Sequence, residues 1–189
     1  MKIAKLFALV LACSLSCAAN AAVLLGSNGA NTVTDYSTPG AVSFDLDLDN
    51  FSTTTLDFVL EAGDLEGPLS FDALVRNLAG AELNRFTFSL QGITFAGAGS
   101  VTPSFGTLGA VEAGASAVAI NFASPEWAEF QFGDVLGNGG SDWLLATAGL
   151  NAGDRFSITA SVPEPSTSAL MLPMLCLAGL MAARRRKQR

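Results

Sequence analysis

Carboxylates are the side chains of this sequence best suited to chemistry, and three of them stand at alternate positions. Asp45, Asp47 and Asp49 are separated by single apolar residues. A calcium loop of the EF-hand type needs Gly at its sixth position and Glu at its twelfth. Counted from Asp45, those positions hold Asn50 and Leu56. The alternation favours a half-buried strand with exposed carboxylates. Calcium, which would relieve their mutual repulsion, is the alternative.

A second group of oxygen-bearing side chains surrounds a glycine-rich run. Asp134, Asn138 and Asp142 lie around residues 137–141, which contain three glycines. Such residues form hairpin loops readily, and a flexible loop of this kind could also wrap oxygens around calcium. We expect a hairpin loop, with calcium as the alternative and no other cofactor.

Acidic and aromatic residues also stand together near residue 127. Glu126 and Glu129 flank Trp127, and two carboxylates at the right separation hydrolyse glycosides. Nothing in the sequence establishes that separation, so we expect no catalysis. Trp127, Trp143 and Tyr36 would stack on sugar rings if exposed, but we expect them to pack in the core.

The residue types missing from residues 22–161 exclude several classes of enzyme. This region has no His, Lys or Cys, because Cys13, Cys17 and Cys176 lie outside it. Catalysis by Ser-His-Asp or Cys-His groups, His-ligated zinc and lysine Schiff bases are therefore excluded there. Three Arg against sixteen Asp and Glu give a formal charge of 3 − 16 = −13. This charge argues against binding of nucleic acid.

The same region predicts an all-β fold. Short segments alternate polar and apolar residues between turn-like, glycine-rich stretches. Eight strands are predicted, at residues 44–49, 53–60, 69–75, 83–93, 117–122, 127–132, 143–147 and 155–161. A short helix over residues 72–78 is an alternative for part of the third. We expect one antiparallel β-sandwich, jelly-roll or Ig-like, over residues 22–161.

The N-terminal residues have the layout of a secretory signal peptide. A basic start with Lys2 and Lys5 precedes an apolar run, and small residues at Ala19 and Ala21 follow. This layout predicts export by the Sec machinery and cleavage after Ala21, so that residues 1–21 are removed. Lipoprotein processing at Cys13 or Cys17 is the alternative, although neither follows a good lipobox.

The C-terminal residues combine a proline-rich breaker, an apolar segment and a basic cluster. The breaker comprises Val162, Pro163, Glu164 and Pro165. Residues 166–183 carry no charge and would span about 27 Å as a helix, just short of the ~30 Å hydrocarbon core of a membrane. Residues 184–189 hold five positive charges, including Arg184, Arg185, Arg186 and Lys187. They predict a membrane stop with this end in the cytoplasm.

These three parts in this order resemble the PEP-CTERM sorting signal of Gram-negative, biofilm-forming bacteria. The resemblance covers residues 162–189 alone. It implies recognition of Pro163, Glu164 and Pro165 by an exosortase, a membrane-embedded protease, with Arg184 to Arg186 as the stop. It also implies release from the inner membrane, often beside exopolysaccharide genes. A plain single-pass tail anchor is the alternative.

Together these features predict an exported, non-enzymatic protein. The precursor would sit in the inner membrane with residues 22–161 in the periplasm. The mature form would reach the outer membrane, the cell surface or the extracellular matrix, in association with exopolysaccharide or biofilm. A carbohydrate- or calcium-binding module is the second hypothesis, and a hydrolase that uses only carboxylates is the third.

Overall fold

The computed structural model describes residues 21–163, which fold into thirteen β-strands and a single 3-10 turn at Ala62–Leu65. Some strands alternate buried and more exposed positions, as in Ala41–Leu48 and Arg155–Ser161, which is the period-two pattern of a half-buried strand. The bounds of the strands are β1 Val23–Asn28, β2 Thr32–Asp35, β3 Ala41–Leu48, β4 Thr54–Val59, β5 Leu69–Asn77, β6 Leu83–Gln91, β7 Phe95–Gly97, β8 Val101–Phe105, β9 Leu108–Ala113, β10 Ala117–Glu126, β11 Glu129–Phe132, β12 Trp143–Leu145 and β13 Arg155–Ser161.

Two sheets form a sandwich. The first has the order β1-β4-β13-β6-β10-β9, and all its pairings are antiparallel. The second has the order β2-β3-β5-β11-β8, with β12 bonded to β5 and to β7. The last strand, β13, therefore lies inside the first sheet, between β4 and β6.

The prediction of a purely antiparallel sandwich is wrong at one pairing. β3 and β5 run parallel, in register from Ala41 opposite Ser70 to Leu48 opposite Asn77. The reason is the path of the chain: it leaves β3, crosses to the first sheet as β4, and returns as β5. Two reversals restore the original direction, and β5 comes back beside β3.

Aromatic side chains from both sheets fill the space between them. Phe71 of the second sheet contacts Phe88 of the first, with ring centroids 5.3 Å apart and planes at 70°. Phe88 also contacts Phe44 and Phe132 edge-on, at 6.1 and 4.9 Å. All four rings are fully buried. Edge-to-face contacts between buried rings add to the stabilisation from burial alone.

All eight predicted strands are present, with small shifts in their bounds. The helix alternative over residues 72–78 is wrong, since β5 continues to Asn77 with Phe71, Ala73 and Val75 buried on one face. Five strands had no prediction: β1, β2, β7, β8 and β9. They are short, mostly exposed, or interrupted by Pro103 or Gly109, so they have little hydrophobic alternation to detect.

Candidate functional site

The C-terminal exit of the sandwich carries the start of the predicted sorting motif. β13 is bonded through Ser161, which lies opposite Thr87 of β6. Val162 follows with only 9% of its side chain exposed, and Pro163 is exposed. The motif thus begins directly on the folded domain.

Several predicted sorting residues lie outside the part of the chain that the structure describes. They are Ala19 of the cleavage site, Glu164 and Pro165 of the motif, the apolar segment 166–183, and the basic residues Arg184, Arg185, Arg186 and Lys187. Ala21 is described and partly buried. Between residues 21 and 163, the structure has no helix with the length and hydropathy needed to cross a membrane.

The alternating carboxylates of β3 face an arginine rather than open solvent. The Arg76 guanidinium donates through Nε to Asp47 Oδ1 and through Nη2 to Asp45 Oδ2, the latter at 3.2 Å. The side chains of Asp45 and Asp47 are only 17% and 22% exposed, respectively. The parallel register places Asp47 opposite Arg76. One arginine thus bridges both acids on the outer face of the second sheet.

The surroundings of Arg76 raise its pKa above the ordinary value. The main cause is the hydrogen bond to Asp47, and the charges of Asp47, Asp45 and Glu129 add to it. Glu129 lies opposite Arg76 on β11. An opposite charge nearby favours the charged form of a group, so the guanidinium stays charged and offsets part of the negative charge around it.

Asp49 is separate from the other two acids of the predicted set. It lies just past the end of β3 and is exposed. Its Oδ2 accepts a hydrogen bond of 2.9 Å from the Thr32 hydroxyl of β2. The strand prediction holds for Asp45 and Asp47, while Asp49 belongs to the loop that follows.

The acids of the glycine-rich loop shape the loop itself. Asp134 accepts backbone hydrogen bonds from Asn138 at 2.7 Å and Gly139 at 3.2 Å. Asp142 Oδ1 accepts one of 2.9 Å from the backbone of Asp134. This is the turn-forming role expected of Asp side chains. The prediction of a hairpin is wrong, because β11 and β12 do not pair with each other and each pairs with β5.

Asp72 is an acid of this region that sequence reasoning missed. Its side chain is 9% exposed, and Ser43 donates a short hydrogen bond to it. Burial raises its pKa, the Ser43 bond lowers it, and the charges of Asp142 and Asp134 raise it further. The available signal was a lone acid within the otherwise apolar strand segment at residues 71–75.

The loop that follows β11 approaches Asp72 so closely that it requires a glycine at position 133. Gly133 has φ +82°, and a Cβ there would lie 2.8 Å from the Asp72 Cβ. A left-handed backbone and this lack of space both favour glycine.

Among residues 21–163, no group of three His, Cys, Asp or Glu side chains is arranged to hold a metal ion.

The acids beside Trp127 have structural partners. Glu126 Oε2 accepts a 2.6 Å hydrogen bond from the backbone of Thr107, and its Oε1 accepts one of 3.0 Å from the Ser124 hydroxyl. Glu126 therefore holds the turn that joins β8 to β9. Glu129 begins the following strand, β11, and lies opposite Arg76 of β5.

Of the three aromatic residues that we expected in the core, one is buried and two are exposed. Trp143 is buried, stacks on Phe132 at 4.7 Å, and donates from Nε1 to the carbonyl of Ser100. The core expectation is wrong for Trp127 and Tyr36, which are 56% and 55% exposed. Trp127 follows the last residue of β10 and Tyr36 follows β2, so both lie just beyond strand ends.

Comparison with known proteins identifies the tail. The family described as the PEP-CTERM protein-sorting motif matches residues 161–187. No curated protein and no solved structure matches the chain. The match confirms the resemblance drawn from residues 162–189. A motif of this kind implies a membrane-anchored precursor that is exported and processed by an exosortase.

Proposed function

We propose that the chain is a non-enzymatic structural protein that an exosortase sorts to the cell surface or extracellular matrix, in association with exopolysaccharide. The observation that carries this proposal is the position of the sorting motif. The match to the sorting family starts at residue 161, which is also the last residue of β13. The β-sandwich is therefore the cargo that the tail delivers.

The partners of the acids support a structural role over catalysis. Asp45 and Asp47 are paired with Arg76, and Glu126 bonds the backbone of Thr107. A carboxylate that acts as a general acid or base needs to reach a substrate, whereas these acids are engaged with the fold. Residues 22–161 also lack His, Lys and Cys.

Substitution of the motif tests the sorting role. We expect the double variant Pro163→Ala, Glu164→Ala to stay in the inner membrane of a host with active exosortase, while the unaltered protein leaves it. Pro163 is exposed, so its loss should not unfold the domain. Pro39→Ala, at another exposed proline, is the matched control and should leave the membrane normally. Release of the double variant at the normal level would exclude recognition through this motif.

A carbohydrate-binding module is the second candidate, because Tyr36 presents an exposed ring beyond β2. An exposed aromatic face can stack on a sugar. Titration calorimetry with the host polysaccharide would then give heat that Tyr36→Ala removes. Calcium binding, the other form of this hypothesis, would give heat in a parallel titration with calcium. Absence of heat in both titrations would exclude the binding module.

A further inference from the structure

Three large apolar side chains are exposed at one end of the sandwich. Leu78, Phe105 and Trp127 are 58%, 67% and 56% exposed. Leu78 follows the end of β5, Phe105 ends β8, and Trp127 precedes β11. We call these three residues the apolar end.

Strand register shows that the three positions are neighbours. Glu129, at the start of β11, lies opposite both Arg76 of β5 and Phe105 of β8. The backbone N–H of Asn77 donates to the carbonyl of Ala128 at 3.1 Å, which places Leu78 next to the segment that carries Trp127. Adjacent strands lie about 4.8 Å apart, so the apolar end spans neighbouring strand ends of the second sheet.

The chain leaves the sandwich towards this same end. Ser161 lies opposite Thr87, and β6 runs from there back to Leu83, which lies opposite Glu126. Trp127 is the next residue after Glu126. Beyond Ser161, the chain therefore continues towards the level of Leu83 and Glu126, which is the level of the apolar end.

The connection to the predicted membrane segment is too short to separate the two. Five steps of chain from Ser161 to Ser166 reach at most about 18 Å when fully extended. The stretch of β6 from Thr87 to Leu83 already covers about 13 Å of strand length. Along the strand direction, the start of the segment at residues 166–183 can therefore lie at most about 5 Å beyond the level of Leu83.

We propose that the apolar end docks on the lipid interface of the membrane that holds the precursor. The proposal rests on the sorting role, since the tail supplies the anchor. Tryptophan favours the boundary between headgroups and acyl chains, and apolar side chains favour removal from water. Tethering makes a weak surface contact effective, because the second binding event is intramolecular.

The acidic charge of the domain means that the contact with the membrane depends on the tether. A formal charge of −13 over residues 22–161 offers no attraction to anionic lipid, so the contact is apolar and added salt does not weaken it. Once the tail is cut, the tether is lost and the acidic domain has only three apolar side chains to hold it. Cleavage of the tail thus releases the domain from the surface of the membrane that held the precursor.

The two tryptophans of the chain provide a direct measurement. The full-length precursor is reconstituted into phosphatidylethanolamine and phosphatidylglycerol vesicles that contain brominated phosphatidylcholine, which quenches tryptophan in the bilayer. Trp143 is 1% exposed and reports the unaffected background. We expect a roughly two-fold quenching of the Trp127 emission, as for an interfacial tryptophan. The variant Trp127→Phe should lose this quenching, and in the unaltered precursor the quenching should not fall in high salt.

Matched variants separate the apolar end from exposed apolar residues in general. The double variant Leu78→Ser, Phe105→Ser should reduce the quenching of Trp127 by at least about half, since two of three interfacial side chains are lost. Leu136→Ser changes a residue that is 57% exposed in the loop between β11 and β12, at the opposite end. It should leave the quenching unchanged.

Flotation of the vesicles distinguishes failure of docking from failure of anchoring. Precursor that floats with the vesicles, yet shows unquenched Trp127 open to aqueous acrylamide, would overturn the docking proposal and leave the anchor intact. Precursor that does not float would overturn both. Shielding of Trp127 without lipid, lost on dilution, would assign the apolar end to a second copy of the chain and also overturn the proposal.

Discussion

Arg76 offsets part of the negative charge that β3 places on the outer face of the second sheet. It bridges Asp45 and Asp47 across the parallel pairing. We expect Arg76→Gln to lower the free energy of unfolding by about 1 kcal/mol, because two half-buried carboxylates would then repel without a partner. Added salt should reduce this loss by screening the repulsion. Urea unfolding followed by tryptophan emission measures it.

Arg85 supplies the control for Arg76. It forms an exposed ion pair of 3.1 Å with Glu112, and exposed pairs contribute little. Arg85→Gln should change the stability by less than about 0.5 kcal/mol. Equal losses in the two variants would contradict the special role of Arg76.

Asp72 makes stability depend on pH, because burial raises the pKa of its carboxyl above the ordinary value of 3.8. The folded protein then keeps this proton longer than the unfolded chain. The stability due to Asp72 therefore falls as pH rises from 3.8 to the folded pKa, and the cost persists above it. Asp72→Asn keeps an oxygen for the Ser43 hydroxyl and removes the charge.

Thermal melting at several pH values tests this account of Asp72. We expect Asp72→Asn to melt at a higher temperature than the unaltered protein at pH 7. The difference should shrink as pH falls and vanish below about 3.8. Asp57→Asn, at an exposed acid of β4, is the control. A variant of Asp72 that is less stable at pH 7 would show that its charge is compensated.

The residues of these sites were only partly predictable from sequence. Alternation identified Asp45 and Asp47 as strand residues, because period two is a local property. Their partner Arg76 is 29 positions from Asp47, and a parallel register cannot be read from local pattern. Asp72 was missed for the same reason, since its neighbours Ser43 and Asp142 come from distant segments.

At the scale of elements, β13 ties the sorting tail to the core. Phe156 of β13 lies opposite Phe58 of β4, and the two buried rings stack at 5.2 Å. Phe156→Ala should lower the free energy of unfolding by about 3–5 kcal/mol, as for other buried phenylalanines. Tyr36→Ala, at an exposed ring, should cost less than about 0.5 kcal/mol. Urea unfolding compares the two, and a small loss at Phe156 would contradict its place in the core.

The predictability of elements followed their burial. Strands with a clear buried face, such as β3, β6 and β13, were found from sequence. Edge strands β1 and β8 were missed, because a strand with solvent on most sides needs no apolar alternation. The parallel pairing of β3 with β5 was missed as well, since it depends on the crossing of β4 to the other sheet.

At the scale of the whole molecule, the fold limits where the tail can be cut. β13 is bonded through Ser161 inside the first sheet, and Val162 is buried. A cut before Ser161 would remove part of an internal strand and leave backbone groups of β4 and β6 unpaired. An exosortase that leaves the sandwich folded must therefore cut after Val162.

The intact mass of the mature protein tests the central claim most directly. The protein is purified from the surface or medium of a host with active exosortase and weighed by mass spectrometry. We expect a chain that ends after Val162 and lacks residues 184–189, together with an unprocessed chain in a strain without exosortase. A mature surface protein that keeps Arg184 to Arg189 would contradict sorting by cleavage.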